Sequence, residues 1–181
     1  MMKFKEKLSD LTIFDLSRFR DPRGMLTKFY YSDLLDQYNF KVDDIYTTVS
    51  NKNVVRGLHH QFGPNGQAKL VTCLSGEFWD ISVDLRIGSP TYGEQFSYKL
   101  SSENDESLLV PAGFSHGTVS LENDTIMLCI CSGKYMPEHE AGINITSLNL
   151  DFISADCINE LILSSKDKKL PPLDETLLSN Y

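Results

Sequence analysis

The sequence predicts an all-β fold, a sandwich or jelly-roll barrel with short helical segments near each end. Three observations point there. Between Ile45 and Ile130, short runs rich in β-branched and aromatic residues recur at close spacing. Clusters of Gly, Pro, Asn, Asp and Ser separate them ("GPNG", "IGSPTYG", "SSENDE", "PAGF", "LEND"), supplying the backbone conformations that tight turns need. One run, "FWDISVDL", alternates with a period of two, the repeat of a strand with two unlike faces. Many short strands at even spacing are the pattern of two packed sheets or a closed barrel.

Taken in order, "MMKFKEKLSD" is a polar start, and no basic run leads into an apolar stretch. "SDLLDQYN" reads as a helix, with Ser32 or Asp33 as its N-cap. Seven strand candidates follow: "DIYTTVSN", "AKLVTCLSG", "GEFWDISVDL", "GEQFSYKLS", "ESLLVPAGF", "HGTVSLEND" and "TIMLCICSG". In the third, Phe78, Asp80, Ser82 and Asp84 share one face, and Trp79, Ile81, Val83 and Leu85 share the other. Two carboxylates and a hydroxyl on one face suit a barrel wall that lines a polar cavity. From Asp156 the pattern changes. "DCINELILSSKDKKLPP" spaces Ile158, Leu161 and Ile162 as a helix does, and Pro171 and Pro172 close it. With no internal repeat, low-complexity tract or linker, residues 1–181 read as one domain.

The 181 residues are 41% hydrophobic and 23% charged, enough for a core without disulfides or a structural metal. A formal charge of −8 opposes nonspecific binding to nucleic acid or to an anionic membrane surface, though a local Lys/Arg cluster can still hold a phosphate. No stretch approaches the ~18 apolar residues of a membrane span. With no export signal, a cytoplasmic location is expected. Cys73, Cys129, Cys131 and Cys157 then read as reduced thiols. Cys129 and Cys131 form a C-x-C pair, but a tetrahedral zinc site needs two further ligands and no second pair supplies them. No metal is expected.

The stretch "VVRGLHHQF" carries two adjacent histidines, His59 and His60. They are a metal pair, a base beside a bystander, or structural. If the stretch is extended, neighbouring side chains face apart, and both cannot enter one cavity. Arg56, Lys69, His116, Asp80, Asp84 and Asp167 are the other polar candidates. Singly, each has an ordinary explanation: Lys69 solvated, Asp84 paired with Arg86, Asp167 one charge in a mixed tail.

Together they are more specific. "DPRGMLTKFY", "VVRGLHHQF", "GQAKLV", "GEFWDISVDLRIGSPTYG", "LSSENDESLLVPAGFSHG", "YMPEHEAGI" and "LILSSKDKKLP" run in order across residues 21–171. In these motifs the chain resembles the dTDP-4-dehydrorhamnose 3,5-epimerase family. The resemblance implies a cupin-type jelly roll, a homodimer, no metal and no dissociable cofactor. It implies a nucleoside-diphosphate 4-keto sugar as substrate, hexose or heptose, for surface polysaccharide synthesis. The reaction implied removes a weakly acidic hydrogen beside the ketone and reprotonates the enolate on the opposite face, inverting C-3 and, in the wider form, C-5.

By that resemblance His59 is the base, suited to it by an unperturbed pKa of about 6.5. Asp167 orients it, and Lys69 stabilises the oxyanion. Arg23 and Arg56 contact the sugar–diphosphate, and Gln61, His116 and Tyr135 fall in matched motifs as substrate contacts. The chain also departs from the family. The tyrosine expected to return the proton falls on Cys129, so Cys129, Cys131 or a water becomes the expected acid, and a C-3-only enzyme enters consideration. Lys28 and "TTVSNKN" replace an acidic residue and a "QDN-S" motif, which leaves the sugar and nucleotide open. Two alternatives stand beside the epimerase: a 3,4-ketoisomerase on the same barrel, and an inactive cupin that binds a sugar nucleotide.

Overall fold

The computed structural model describes residues 2–178. Its strands are β1 (Lys3–Leu8), β2 (Leu11–Asp15), β3 (Ser17–Asp21), β4 (Gly24–Lys28), β5 (Asp44–Ser50), β6 (Val55–Gln61), β7 (Ala68–Ser75), β8 (Glu77–Asp84), β9 (Gln95–Ser101), β10 (Glu106–Val110), β11 (Phe114–Ser120), β12 (Thr125–Ser132) and β13 (Glu140–Gly142). Short helices α1 (Ser32–Leu35), α2 (Ala155–Asn159) and α3 (Leu173–Leu178) join them. A six-stranded sheet, β1-β2-β10-β7-β12-β5, faces a five-stranded sheet, β13-β6-β11-β8-β9. Strands β3 and β4 pair only with each other. This is the cupin-type jelly roll, and all seven strand candidates are strands in it.

The period of two in β8 decides which residues meet between the sheets. Phe78 packs with Leu11, Val71, Leu100, Phe114 and Met127 in the interior. Ile81 and Val83, one step out of phase, join Val55, Leu58, Ile143 and Ile145 on the outer face, covered by the C-terminal segment. A third cluster, with Phe14, Leu35, Phe40 and Ile130, backs the six-stranded sheet. The polar residues of the inner β8 face are fully buried but paired. Asp80 meets His116, and Asp84 accepts from Arg86, Ser89 and Thr91. Asp84 thereby becomes a structural knot, and Asp80 is buried behind His116.

Two sequence expectations are corrected, and the first four strands are added to them. The helix at "SDLLDQYN" is one turn followed by a 3-10 turn over Asp36–Tyr38, and its N-cap is Tyr31, with no side-chain cap. Ser32 Oγ lies instead 3.3 Å from Asp33 Oδ1, so neither short side chain caps the turn. Of the stretch expected to be one helix up to Pro171, the part to Asn159 is α-helical and Asp167–Lys169 is a separate 3-10 turn. Ile162 leaves the helix to form a parallel bridge with Val54, its N–H donating to Asn53 and its carbonyl accepting from Val55. Backbone pairing with β6 outweighs the weak helical spacing of three apolar residues. The first four strands had no place in the sequence reading. Strand β1, "KFKEKL", is an edge strand, and its charged residues hide any apolar alternation in the sequence.

Candidate active site

Strand pairing brings the chemistry-bearing residues to one pocket between the sheets. From the five-stranded sheet come His59 and Arg56 on β6 and His116 and Thr118 on β11. His59 lies directly opposite His116, and Thr118 opposite Arg56, across the β6–β11 pair. From the six-stranded sheet come Tyr46 and Thr48 on β5, Lys69 on β7 and Met127 on β12. Here too register sets the common face: Tyr46 pairs with Cys129, Thr48 with Met127, and Lys69 with Cys131. The pocket holds about 200 Å³ and opens to solvent.

His59 is held from the far end of the chain. Its Nε2 lies 2.7 Å from Asp167 Oδ1. Asp167 is buried at the start of a 3-10 turn, its N–H donating to Ser164 Oγ at 3.0 Å. The Val54–Ile162 bridge and the Asn144 N–H to Pro171 carbonyl bond fix this segment against β6. A carboxylate on Nε2 selects the tautomer that carries its proton there and leaves Nδ1 as the bare nitrogen. That Nδ1 stands 3.8 Å from Glu140 Oε1, past hydrogen-bonding reach. Burial of Glu140 favours its neutral form, but the hydrogen bond from Lys166 and the nearby His59 outweigh it, and its carboxyl is held below its ordinary value.

His60 points the other way. It is buried, with Nδ1 3.2 Å from Ser115 Oγ, and it lines a separate cavity with Phe62 and Leu85. Burial, helped by the charge of Lys69, lowers its pKa to about 4, so it is neutral at pH 7. The two histidines do face apart. Among the described residues, no group of three or more His, Cys, Asp or Glu side chains is arranged to hold a metal ion.

The pocket gathers four of the expected residues directly, His59, Lys69, Arg56 and His116, with Asp167 behind His59. Arg56 sits at the mouth, donating from Nε to Ser50 Oγ at 2.8 Å and from Nη2 to the Val49 carbonyl at 2.9 Å. His116 is anchored by Asp80, Nε2 to Oδ2 at 2.7 Å, so a second histidine–carboxylate pair stands at the pocket wall. The other four lie apart. Arg23 projects from the β3–β4 hairpin and pairs with Asp21. Gln61 spends its amide on the backbone of Asn65, Lys134 and Met136. Tyr135 is exposed and donates to Glu140. Cys129 is wholly buried, its sulfur 3.7 Å from that of Cys131, and it lines no part of the pocket.

Tyr46 and Glu140 escape the sequence reading. Tyr46 and Thr48 share strand parity in "DIYTTV", the one signal that sets them on a common face. Glu140 sits in a matched motif, "YMPEHEAGI", but only the β13–β6 pairing brings it near His59.

Fold and pocket together define a class: a jelly roll whose pocket sets a histidine–carboxylate pair across from a lysine, an arrangement suited to acid–base chemistry. The sequence profile described as dTDP-4-dehydrorhamnose 3,5-epimerase matches residues 5–175. The chain is 35% identical to the dTDP-4-dehydrorhamnose 3,5-epimerase of Salmonella typhimurium, across 99% of both chains. It is 32% identical to a dTDP-4-dehydro-6-deoxyglucose 3-epimerase of a Streptomyces species, over 84% of this chain and 79% of that one. Among solved structures, the dTDP-6-deoxy-D-glucose-3,5-epimerase of Legionella pneumophila in complex with dTDP-4-keto-L-rhamnose superposes with a TM-score of 0.87. The two are 30% identical, with 96% of this chain and 94% of that chain covered. The chain belongs to the dTDP-4-dehydrorhamnose 3,5-epimerase family.

Proposed function

We propose that the protein inverts C-3 of a nucleoside-diphosphate-linked 4-keto sugar, and that C-5 is the second carbon open to the same chemistry. One observation carries this reading: a histidine bound at 2.7 Å by a buried carboxylate, facing a lysine across a pocket open to solvent. Hydrogens beside a ketone are weakly acidic, and a base poised near neutral pH removes one when the oxyanion is stabilised at once. His59 supplies the base through the nitrogen that Asp167 leaves bare. Lys69 supplies a fixed positive charge for the enolate oxygen. Asp167 stabilises the imidazolium that forms and keeps the ring in place. Arg56, with guanidinium donors at the pocket mouth, suits the diphosphate. The relatives named above act on dTDP sugars, which makes a dTDP-4-keto-6-deoxy sugar the first substrate to try, for surface polysaccharide synthesis.

The same reading includes a homodimer. The β3–β4 hairpin extends from the sheets with Phe19, Met25 and Leu26 each more than half exposed, and Arg23 lies on it. An isolated two-stranded hairpin is marginal in water, and an exposed apolar cluster of this kind marks a contact surface.

Incubation with dTDP-4-keto-6-deoxyglucose in D₂O tests the reaction. Deuterium at C-3 alone marks the narrower enzyme, and deuterium at both C-3 and C-5 the wider one. Deuterium at neither carbon, here and with GDP- and CDP-linked 4-keto sugars, would sink the reading. Asp167→Asn, which upsets the His59 tautomer, should lower kcat by about 10²–10⁴-fold with little change in KM. Unchanged kcat would show that Asp167 does not serve the base.

A further inference from the structure

Inversion needs two proton carriers on opposite faces of the sugar, and the reading above assigns only one. Granting that reading, we infer that Tyr46 is the acid that delivers the proton to the face opposite His59. The pocket has two walls. His59, His116, Arg56 and Thr118 stand on the five-stranded sheet, and Tyr46, Thr48, Lys69 and Met127 on the six-stranded sheet. A ring held between the sheets presents one face to each.

The other lining groups fail for separate reasons. His116 is the cross-strand partner of His59 and shares its wall. Arg56 carries a guanidinium, which is not a proton donor in enzyme chemistry. The alcohols Thr48 and Thr118 are far weaker acids than a phenol, whose ordinary pKa is about 10. Met127 has no proton to give. Lys69 shares the wall with Tyr46, but a group bound to the enolate oxygen lies in the enolate plane, whereas carbon takes its proton perpendicular to that plane. Cys129 has no exposed surface. It is instead the cross-strand partner of Tyr46, and the Tyr46 hydroxyl interacts with its sulfur. The phenol thus stands one strand away from where the resemblance places a tyrosine, on the same sheet face. Tyr46 is 39% exposed, so the ring is open to a ligand. Burial of its hydroxyl end, followed by the neighbouring thiols, raises its pKa and keeps it protonated until a carbanion asks for the proton.

The step balances. His59 takes the proton as the C–H bond breaks, and that electron pair forms the C=C bond while the carbonyl becomes C–O⁻. The enolate pair then takes the phenolic proton on the other face, restoring C=O and leaving phenolate and imidazolium. Solvent at the open pocket carries a proton from the one to the other.

The test compares wild type, Tyr46→Phe and His59→Asn with dTDP-4-keto-6-deoxyglucose in D₂O, following deuterium at C-3 and the inverted product separately. Tyr46→Phe should still exchange C-3 within about tenfold of the wild-type rate, because His59 returns deuterium to the face it deprotonated. Its inverted product should fall at least about 100-fold. His59→Asn should lose both. Inversion by Tyr46→Phe at the wild-type rate overturns the assignment alone. So does loss of exchange together with inversion while dTDP binding by calorimetry is unchanged, since the tyrosine would then serve the first transfer. Absence of exchange in the wild type overturns the epimerase reading and this assignment together.

Discussion

His59 and His60 have the same side chain and adjacent positions, yet the fold gives them opposite lives. Strand parity sends His59 to a pocket with a carboxylate at its back, and sends His60 into a cavity where burial pushes its pKa down to about 4. That depression has a consequence for stability. An unfolded histidine titrates near 6.5, so between pH 6.5 and 4 the unfolded chain binds the extra proton and is favoured. His60 therefore contributes full stability above about pH 6.5, and the contribution is lost as pH falls toward 4. Lys69, His59 and Glu140 act on the same ring, the first two against its charge and Glu140 for it. Urea midpoints should rise from pH 4 to 6.5 in the wild type and less steeply in His60→Gln. Parallel profiles would place the proton elsewhere. The adjacent pair was legible as a question from sequence, and parity answered it. Tyr46 was not legible as an acid, because nothing in "DIYTTV" says which strand will face β6.

At the scale of elements, the strands of the barrel were readable because a half-buried sheet imposes alternation on its sequence, as β8 does with Phe78, Asp80 and Ser82 against Trp79, Ile81 and Val83. The C-terminal segment was misread for the complementary reason. Its apolar residues do not sustain a helical period, and pairing to another strand orders it together with packing of Leu161 and Leu163 on the outer apolar cluster. Among the contacts that hold it are the Ile162–Val54 bridge, the Asn144–Pro171 bond, and packing of Leu170 over Gly142. Gly142 is the tight point. A Cβ there would stand 2.3 Å from the Leu58 carbonyl oxygen and about 3 Å from both Leu170 methyls. Gly142→Ala should destabilise by about 1–3 kcal/mol in denaturant unfolding and lower kcat as Asp167 shifts from His59. A variant with wild-type stability and kcat would show that the tail carries Asp167 without help from β13.

On the scale of the whole molecule, what stands out is apolar surface away from the pocket. Phe19, Met25 and Leu26 on the hairpin, with Ile45 and Val49 on β5, are each more than half exposed. A second copy of the chain covering them would bury the hairpin that carries Arg23. Light scattering of the wild type should return twice the 20.5 kDa chain mass, and Met25→Asp with Leu26→Asp should return one. A wild-type mass of 20.5 kDa would remove the dimer from the reading.

Composition, turn chemistry and a period of two were enough, by themselves, to determine an all-β barrel, and the ordered motifs from Asp21 to Pro171 were enough to identify its family. They could do so because alternation and turn residues are local, and local physics is written residue by residue. Convergence is not local. Asp167 reaches His59 across 108 positions, Asp80 reaches His116 across 36, and Tyr46 meets Cys129 only through the β5–β12 register. Those distances are set by which strands pair and in what phase, and only the tertiary structure decides that.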